Sequence, residues 1–373
     1  MTTQNGRLVV SIVTTVLLVL LPAVALWAIF ANVVRGGDVT DFENTLYGAA
    51  QAVVDGESPY PALDDPALVS GKGYVYPPLT ALVTVPLTSV SVEAAGFVVM
   101  ALLVAGFAAT LLVLGVRDWR CYGLAFLWPP VLSAVQTGNI TIPLALGAAL
   151  VWRFRNDARV AGASLGLTLA AKPILWPLVL WLGVTRRLRA FVTALAVAIL
   201  ALAASWAVIG FAGLRGYPDL VRRLTDVEDE HGYTVYVLAL DLGASSALAW
   251  ALWACAAAAA LAGTVFLSRR GDDRRAFALC VGAALALSPI VWQHYFAFLL
   301  VVVAVVQPTL GLAWFVPLLM YGSTGTLNGN TLQTAVGLGA AVLTVAVALR
   351  PEGMRFPRAR VRPARAVRLG RSP

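Results

Sequence analysis

The stretch "LVVSIVTTVLLVLLPAVALWAIFANVV" at residues 8–34 decides the class of fold. It contains no charged side chain and is longer than the roughly 20 residues that an α-helix needs to cross a bilayer. It also exceeds the apolar core of a signal peptide, about 7–15 residues, so we interpret it as a retained membrane-spanning helix. Its apolar residues are continuous and do not alternate with polar ones, which favours a helix over a strand of a membrane barrel.

The rest of the chain has the same character. Of its 373 residues, 60% are hydrophobic and 12% are charged, and the mean hydropathy is +0.81. A soluble domain has about 25% charged residues. We therefore predict an all-α polytopic membrane protein, with a transmembrane domain over residues 1–350 and a basic, disordered tail over residues 351–373. The net charge of +8 indicates basic loops and contact with membrane lipids, and we expect no nucleic-acid binding.

Charged residues assign the loops to sides of the membrane. Seven acidic residues lie between Asp38 and Asp65, and five lie between Asp219 and Glu230. The basic residues are concentrated elsewhere, in "RDWR" (117–120), "RFRNDAR" (153–159), "RRLR" (186–189), "SRRGDDRR" (268–275) and the tail. The positive-inside rule predicts a multi-pass plasma-membrane protein whose basic loops and tail are cytoplasmic and whose two acidic loops are outside.

Several apolar runs begin and end at cytoplasmic loops, so they must turn at the outer face. Polar interruptions mark these turns at "QTGN" (136–139), "AKP" (171–173) and "SPIVWQHY" (288–295), and "YPPLTALVTVPL" (76–87) must be re-entrant. Pro173 cannot donate a backbone hydrogen bond and ends a helix. Broken helices are tolerated in a membrane where they line a cavity. The prediction is roughly 12 transmembrane or re-entrant helices.

The first acidic stretch, "DVTDFENTLYGAA" (38–50), predicts an amphipathic helix on the outer membrane interface. Thr40 is the expected N-cap, with Glu43 completing a capping box. The apolar face consists of Phe42, Leu46, Ala49, Ala50 and Val53. Asp41 falls in the first turn, where the helix dipole favours a carboxylate. That position explains Asp41 without catalysis, although an ionised carboxylate there also suits a general base.

Two ionisable residues interrupt later apolar runs. Lys172 is one of two lysines in the chain and precedes Pro173; its ammonium either reaches to a lipid headgroup or faces a cavity where it attracts a phosphate. His294 is one of two histidines, and it is either a packed core residue or a donor to a phosphate or hydroxyl. Polar residues inside membrane segments are candidates for function.

Further polar and aromatic residues accompany these turns. Asn139 follows Gly138 and suits a tight turn, whereas Gln136 suits a sugar hydroxyl. Tyr60 and Tyr76 are either interfacial aromatics or platforms for sugar rings. The sequence contains no Walker A, dinucleotide, zinc-protease or nucleophile-elbow motif, so an enzyme with this sequence would take its donor from the membrane.

Five segments carry a family resemblance when they are taken in this order. They are "DFENTLYGAAQAVVDGESPY" (41–60), "YVYPPLTALVTVPL" (74–87), "QTGNITIPL" (136–144), "AGASLGLTLAAKPILWPLVL" (161–180) and "SPIVWQHY" (288–295). In these segments the chain resembles the polyprenyl-phosphate-mannose-dependent α-1,2-mannosyltransferases of actinobacteria, glycosyltransferase family 87, which have the GT-C fold.

The resemblance implies an inverting transferase. Its donor would be polyprenyl-phosphate-mannose, and its acceptor a lipid-linked glycan or glycolipid at the outer face. Asp41 would be the general base, with Asp38 as the nearby competitor, and Lys172 and His294 would contact the donor phosphate. No metal and no cofactor are expected. The candidate substrate-binding residues are Asp38, Tyr47, Tyr60, Tyr76, Gln136, Asn139 and Trp292.

Two alternatives remain at this point. A GT-C transferase for another polyprenyl-phosphate sugar, such as arabinofuranose or glucose, would use the same residues. A lipid or sugar transporter or flippase also contains broken helices and polar membrane residues. The sequence has no convincing internal repeat, and its polar residues cluster at one face, which favours the transferase.

Overall fold

The computed structural model describes residues 13–37, 39–69, 73–227, 232–324 and 330–350. Within these ranges every regular element is a helix and no strand occurs, so the predicted all-α class is confirmed. Asp38 and the basic tail over 351–373 lie outside the described residues.

The helices run in chain order from the first apolar segment to the last. The α-helices are α1 (Leu21–Val34), α2 (Gly48–Val54), α3 (Pro66–Val69), α4 (Pro78–Thr84), α5 (Val92–Val113), α6 (Trp119–Phe126), α7 (Pro129–Thr137), α8 (Thr141–Arg153), α9 (Ala158–Ala171), α10 (Pro177–Val184), α11 (Leu188–Val208), α12 (Tyr217–Val227), α13 (Val235–Asp241), α14 (Ser246–Arg269), α15 (Asp273–Leu287), α16 (Leu299–Val306), α17 (Leu312–Phe315) and α18 (Thr331–Ala348). Val16–Leu20 and Phe42–Tyr47 are π-helical, and the 3-10 segments are Val85–Ser89, Pro173–Leu175, Gln293–Phe298 and Val316–Ser323.

The chain is a multi-pass membrane protein by the length and apolarity of its helices. Among the described residues, five helices are long and apolar enough to cross a bilayer: Val13–Val34, Val92–Val113, Leu188–Val208, Ser246–Arg269 and Thr331–Ala348. A sixth span exists if α7 and α8, which are bent by 118° at their junction, count as one. Shorter apolar helical segments of 10–17 residues accompany them. The total of about 12 and the GT-C arrangement remain predictions.

The predicted interruptions coincide with breaks in the helices. Between α7 and α8, Gly138 adopts a left-handed conformation with φ of 74°. Helix α9 ends at Ala171, Lys172 is extended, and Pro173 starts a 3-10 turn. Helix α15 is followed by the irregular segment 288–292. These breaks place polar residues at the ends of short helices, as expected from the glycine and proline positions.

The helix predicted after the first span is present, but its predicted cap is wrong. The helical conformation begins at Thr40 itself. Glu43 Oε1 accepts a hydrogen bond from the Val39 backbone N–H at 2.9 Å, one residue before the expected N-cap. Because Val39 has no hydroxyl, the reciprocal half of a capping box cannot form there. The apolar face led by Phe42 and Leu46 is buried in the core of the protein.

Close packing of α9 on α11 fixes the position of the Lys172 break. A Cβ atom at Gly162 would lie 2.8 Å from the Ala190 carbonyl oxygen, and one at Gly166 would lie 2.7 Å from that of Ala194. Small residues four apart let membrane helices approach each other at this distance. The last turn of α9 is therefore held rigidly against α11.

The loops predicted to be cytoplasmic contact one another. Asp273 accepts two hydrogen bonds from Arg187, at 2.7 and 3.0 Å, and lies 3.4 Å from Arg155. Arg275 donates to the Arg350 carbonyl at 3.3 Å. Loops that the charge pattern assigns to one side thus lie together at one end of the helices, whichever face of the membrane that end occupies.

Candidate active site

Asp41 is held at the start of its helix by the turn between α7 and α8. Asn139 Nδ2 donates a hydrogen bond to Asp41 Oδ2 at 2.8 Å. The contact depends on Gly138, because a Cβ there would lie 2.5 Å from the Phe42 Cβ and 2.7 Å from a Val39 methyl. Only glycine combines this close approach with the left-handed backbone of the turn. Gly138 thus does more than end a helix, since it allows the turn to reach the carboxylate.

Thr141 fixes the orientation of the Asn139 amide. The backbone N–H and the hydroxyl of Thr141 both donate to Asn139 Oδ1, at 2.9 and 2.6 Å. A backbone N–H can only donate, so the oxygen of the amide must face Thr141 and its NH₂ must face Asp41. Asn139 is almost fully buried, and the amide therefore presents a fixed donor to the carboxylate.

His294 approaches the same carboxylate oxygen from a third region of the chain. Its Nδ1 lies 3.8 Å from Asp41 Oδ2, and its Nε2 is buried without a hydrogen-bond partner among the described residues. The segment before it is anchored by the Tyr233 N–H, which donates to the Val291 carbonyl at 2.7 Å. A buried ring nitrogen without a partner is costly unless a ligand or water completes it.

The Lys172 ammonium lies between two aromatic rings beside these groups. It is 4.7 Å from the centre of the Tyr76 ring and 4.1 Å from that of Tyr295, and it donates to the Tyr295 hydroxyl. Both distances are within the about 6 Å range of cation–π attraction. Lys172 and His294 are within electrostatic reach of Asp41 and of each other.

The structure therefore brings together Asp41, Asn139, Lys172, His294 and Tyr76. Asp41 remains accessible, since 31% of its side chain is exposed against 10% for His294. A carboxylate with one oxygen held by an amide can accept a proton through the other. An ammonium and an imidazole beside it can stabilise an anion.

Other predicted site residues lie elsewhere. The Tyr47 hydroxyl donates to the Val90 carbonyl at 2.9 Å, which ties its helix to the start of α5. Gln136 is exposed on the last turn of α7, and Trp292 is half-buried against the main core. The prediction of Asp38 as a substrate-binding residue lies outside the described residues.

Tyr60 belongs to an aromatic cluster that joins two loops of the chain. Its ring stacks on Trp206 at 5.3 Å and meets Tyr217 edge-on at 5.4 Å, and its hydroxyl donates to the Tyr76 carbonyl at 3.1 Å. Burial raises the pKa of Tyr60, and it raises the pKa of Tyr217 to about 12. Both phenols are therefore neutral at physiological pH. The cluster positions the segment that carries Tyr76.

Two residues of the site, Tyr295 and Thr141, were not predicted from the sequence. Tyr295 directly follows His294, and its hydroxyl accepts the hydrogen bond from Lys172. The role of Thr141 could not be predicted, because threonine is common at the start of an apolar helix. Within the described parts of the chain, no three His, Cys, Asp or Glu side chains are grouped so that they could hold a metal ion, and metal independence stays a prediction.

Comparisons with known proteins identify relatives of the sequence. The family model "Glycosyltransferase family 87" matches residues 74–289, more than half of the chain. This range includes Asn139 and Lys172, while His294 follows its end closely and Asp41 lies well before its start. An "Alpha-(1->3)-arabinofuranosyltransferase" of Mycolicibacterium smegmatis (strain ATCC 700084 / mc(2)155) is 30% identical over 154 residues, which is 36% of this chain and 35% of that protein. The chain thus matches about a third of the length of this relative. No solved structure matches the chain.

Proposed function

The chain belongs to glycosyltransferase family 87, and on that basis we propose that it transfers a sugar from a polyprenyl-phosphate donor to a hydroxyl of a glycolipid or lipid-linked glycan. The reaction takes place at the outer face of the plasma membrane. Membership of a glycosyltransferase family favours this reaction over the transporter or flippase alternative. The predicted side of the membrane follows from the basic loops, which contact each other at one end of the helices.

One observation carries the proposal. A solvent-accessible carboxylate, Asp41, is oriented by Asn139 and stands beside two potential cations, Lys172 and His294. The chemistry of the transfer needs this combination. A base must remove the proton of the attacking hydroxyl, and a positive group must stabilise the phosphate that leaves.

In the proposed step, the oxygen of the acceptor hydroxyl bonds to the anomeric carbon of the donor sugar. The bond between that carbon and the phosphate oxygen breaks, and its electron pair stays on polyprenyl phosphate. The hydroxyl proton passes to Asp41. Lys172 and His294 stabilise the extra negative charge on the leaving phosphate, and attack opposite the leaving group inverts the anomeric centre.

We propose mannose as the transferred sugar, with arabinofuranose as the second candidate. The sequence resemblance favours mannose, and the relative named as an arabinofuranosyltransferase favours arabinofuranose as the second candidate. The residues Asp41, Lys172 and His294 act on the acceptor hydroxyl and the donor phosphate, which are the same for both sugars.

A double-label assay tests the proposal. Membrane vesicles that contain the protein would receive polyprenyl-phosphate-[³H]mannose, polyprenyl-phosphate-[¹⁴C]arabinofuranose and an extract of mannosylated lipids. We expect one label to appear in the acceptor lipids, and we expect Asp41→Asn to abolish the transfer. Asp55→Asn is the matched control, since Asp55 closes the same helical region with its carboxylate bonded to Gln51.

Three outcomes would contradict the proposal or part of it. Transfer of neither sugar by the wild-type protein would reject the function. Full transfer by Asp41→Asn would reject the assigned base, and a parallel Asp38→Asn variant would then show whether the competing carboxylate fills the role. Transfer of arabinofuranose alone would reject the mannose donor.

A further inference from the structure

We propose that a cleft beside Asp41 binds a single neutral sugar unit of the acceptor; this inference rests on the proposed function. The cleft has a volume of about 210 Å³. One wall is the helical segment that carries Asn44, Thr45 and Gly48, and the other wall is the loop that leads to Tyr60. The lining residues that matter here are Asn44, Thr45, Gly48, Ser58, Tyr60 and Tyr74.

The charge of the lining indicates the chemical class of the ligand. None of the described residues that line the cleft is Asp, Glu, Lys, Arg or His. The cationic groups of the site, Lys172 and His294, do not line it. A phosphate would therefore lose its charge partners in the cleft, whereas the hydroxyls of a neutral sugar need only neutral donors and acceptors.

Two polar side chains in the cleft are available to such hydroxyls. Within the part of the chain that the structure describes, neither the Asn44 amide nor the Thr45 hydroxyl makes a hydrogen bond to the protein. Thr45 lines the cleft, and its hydroxyl can both donate a hydrogen bond to a ligand hydroxyl and accept one from it. Ser58 Oγ, which accepts from the Tyr60 N–H at 3.3 Å, retains its own proton as a further donor. The cleft thus offers several neutral partners to a ligand with several hydroxyls.

The position of the cleft suits the reaction. Thr45 follows Asp41 by four residues, about one helical turn, and side chains at this spacing lie about 5–6 Å apart. A sugar ring with one hydroxyl at Thr45 can therefore place another hydroxyl at the carboxylate. Lys172 and His294, which lie near Asp41 and do not line the cleft, would receive the donor phosphate.

The size of the cleft limits the ligand. Sites for drug-sized molecules occupy about 300–1,000 Å³, and this cleft is smaller. Its volume suits one ring of a glycan, and the rest of the acceptor would extend outside the open cleft. Gly48 contributes to this space, because a Cβ there would meet nothing closer than the Glu43 carbonyl oxygen at 4.0 Å.

Binding of two amphiphilic probes to the full-length protein tests the inference. Octyl α-mannopyranoside and octyl phosphate share a tail and differ in the group that the cleft would recognise. Binding would be measured by isothermal titration calorimetry in the Asp41→Asn background, so that no turnover is needed. If the protein transferred no sugar, the binding measurement would still test the cleft. If the mannoside did not bind, the transfer assay would still test the proposed function.

We expect Asn44→Ala and Thr45→Val each to weaken octyl mannoside binding about 3- to 10-fold, the effect of one neutral hydrogen bond. Gly48→Leu fills the cleft and should weaken octyl mannoside binding more than 10-fold. Octyl phosphate binding should be unchanged in these variants and weakened by Lys172→Met. Gln51→Ala, on the same helix outside the cleft, is the matched control.

Unchanged mannoside binding in Thr45→Val and Gly48→Leu would overturn the inference, as would an equal loss of octyl phosphate binding. Thr45→Val preserves the side-chain shape, and Gly48→Leu enters open space, so both variants are expected to fold. An unchanged thermal unfolding midpoint of each variant would show that a loss of binding arises in the cleft.

Discussion

Replacement of Asn139 by alanine removes the hydrogen bond that orients Asp41. In the native protein the amide donates to Asp41 Oδ2 at 2.8 Å, and Thr141 holds the amide from behind at 2.9 and 2.6 Å. A hydrogen bond to a charged group contributes about 1.5–3 kcal/mol. If that bond holds the carboxylate in its reactive position, its loss lowers kcat by about 10- to 160-fold, since 1.36 kcal/mol corresponds to a factor of ten.

The assay is the transfer of labelled sugar at saturating donor and acceptor, with kcat and KM measured separately. Thr141→Val provides a graded comparison, because it removes one of two bonds to the amide and leaves the backbone N–H in place. We expect a decrease of only about 3-fold in that variant. Gln51→Ala is the control, since its amide also contacts a carboxylate, that of Asp55 at 3.2 Å, away from the site.

The split between kcat and KM decides between two roles of Asn139. An unchanged KM with a lowered kcat supports a residue that positions the base. A raised acceptor KM with an unchanged kcat would refute this reasoning and would return Asn139 to the substrate-binding role predicted from the sequence. A wild-type kcat together with a wild-type KM would remove Asn139 from the site altogether.

Three further predictions follow from other contacts. Gly138→Ala forces a Cβ to 2.5 Å from Phe42 and strains a left-handed residue by about 1–2 kcal/mol, so both the thermal midpoint in detergent and the transfer rate should fall; an unchanged midpoint would contradict the close approach. Lys172→Met should lower kcat by about 10²–10³-fold. Tyr295→Phe keeps the ring beside the ammonium and should lower kcat by only about 3- to 10-fold. Equal losses in the two variants would show that the Tyr295 hydroxyl is as important as the Lys172 charge. Asp273→Asn weakens partly exposed ionic contacts to Arg155 and Arg187 and should lower the free energy of unfolding by about 1 kcal/mol; an unchanged thermal midpoint together with a changed substrate KM would contradict this structural role.

Local chemistry made the helix breaks predictable. Pro173 removes a backbone donor and fixes φ, and Gly138 permits the left-handed conformation that ends a helix, so both breaks were predicted from the sequence. Long apolar runs predicted the spans for the same reason, because the bilayer sets their length. The proximity of Asp41, Lys172 and His294 was predicted from the topology. The distribution of charged loops determines which helix ends lie on the same side of the membrane.

Details that depend on tertiary approach were not predictable. The bond from Asn139 to Asp41 requires the Gly138 turn to touch Phe42, and no spacing in the sequence encodes that contact. Tyr295 follows His294 directly, yet its hydroxyl meets Lys172, 123 residues away. The cap was assigned to Thr40 because threonine is a frequent N-cap, while in the structure Thr40 is already helical and Val39 precedes the helix.

The hydrogen bond between Asn139 and Asp41 joins positions 98 residues apart, and His294 reaches the same oxygen from beyond a further series of helices. During biogenesis, the carboxylate therefore emerges long before the groups that orient it. A nascent chain that stops before residue 288 has inserted the proposed base and the lysine but lacks the imidazole. Sugar transfer would thus begin only after translation has passed the last of these segments, so the proposed activity would report the completed assembly of the whole helical domain.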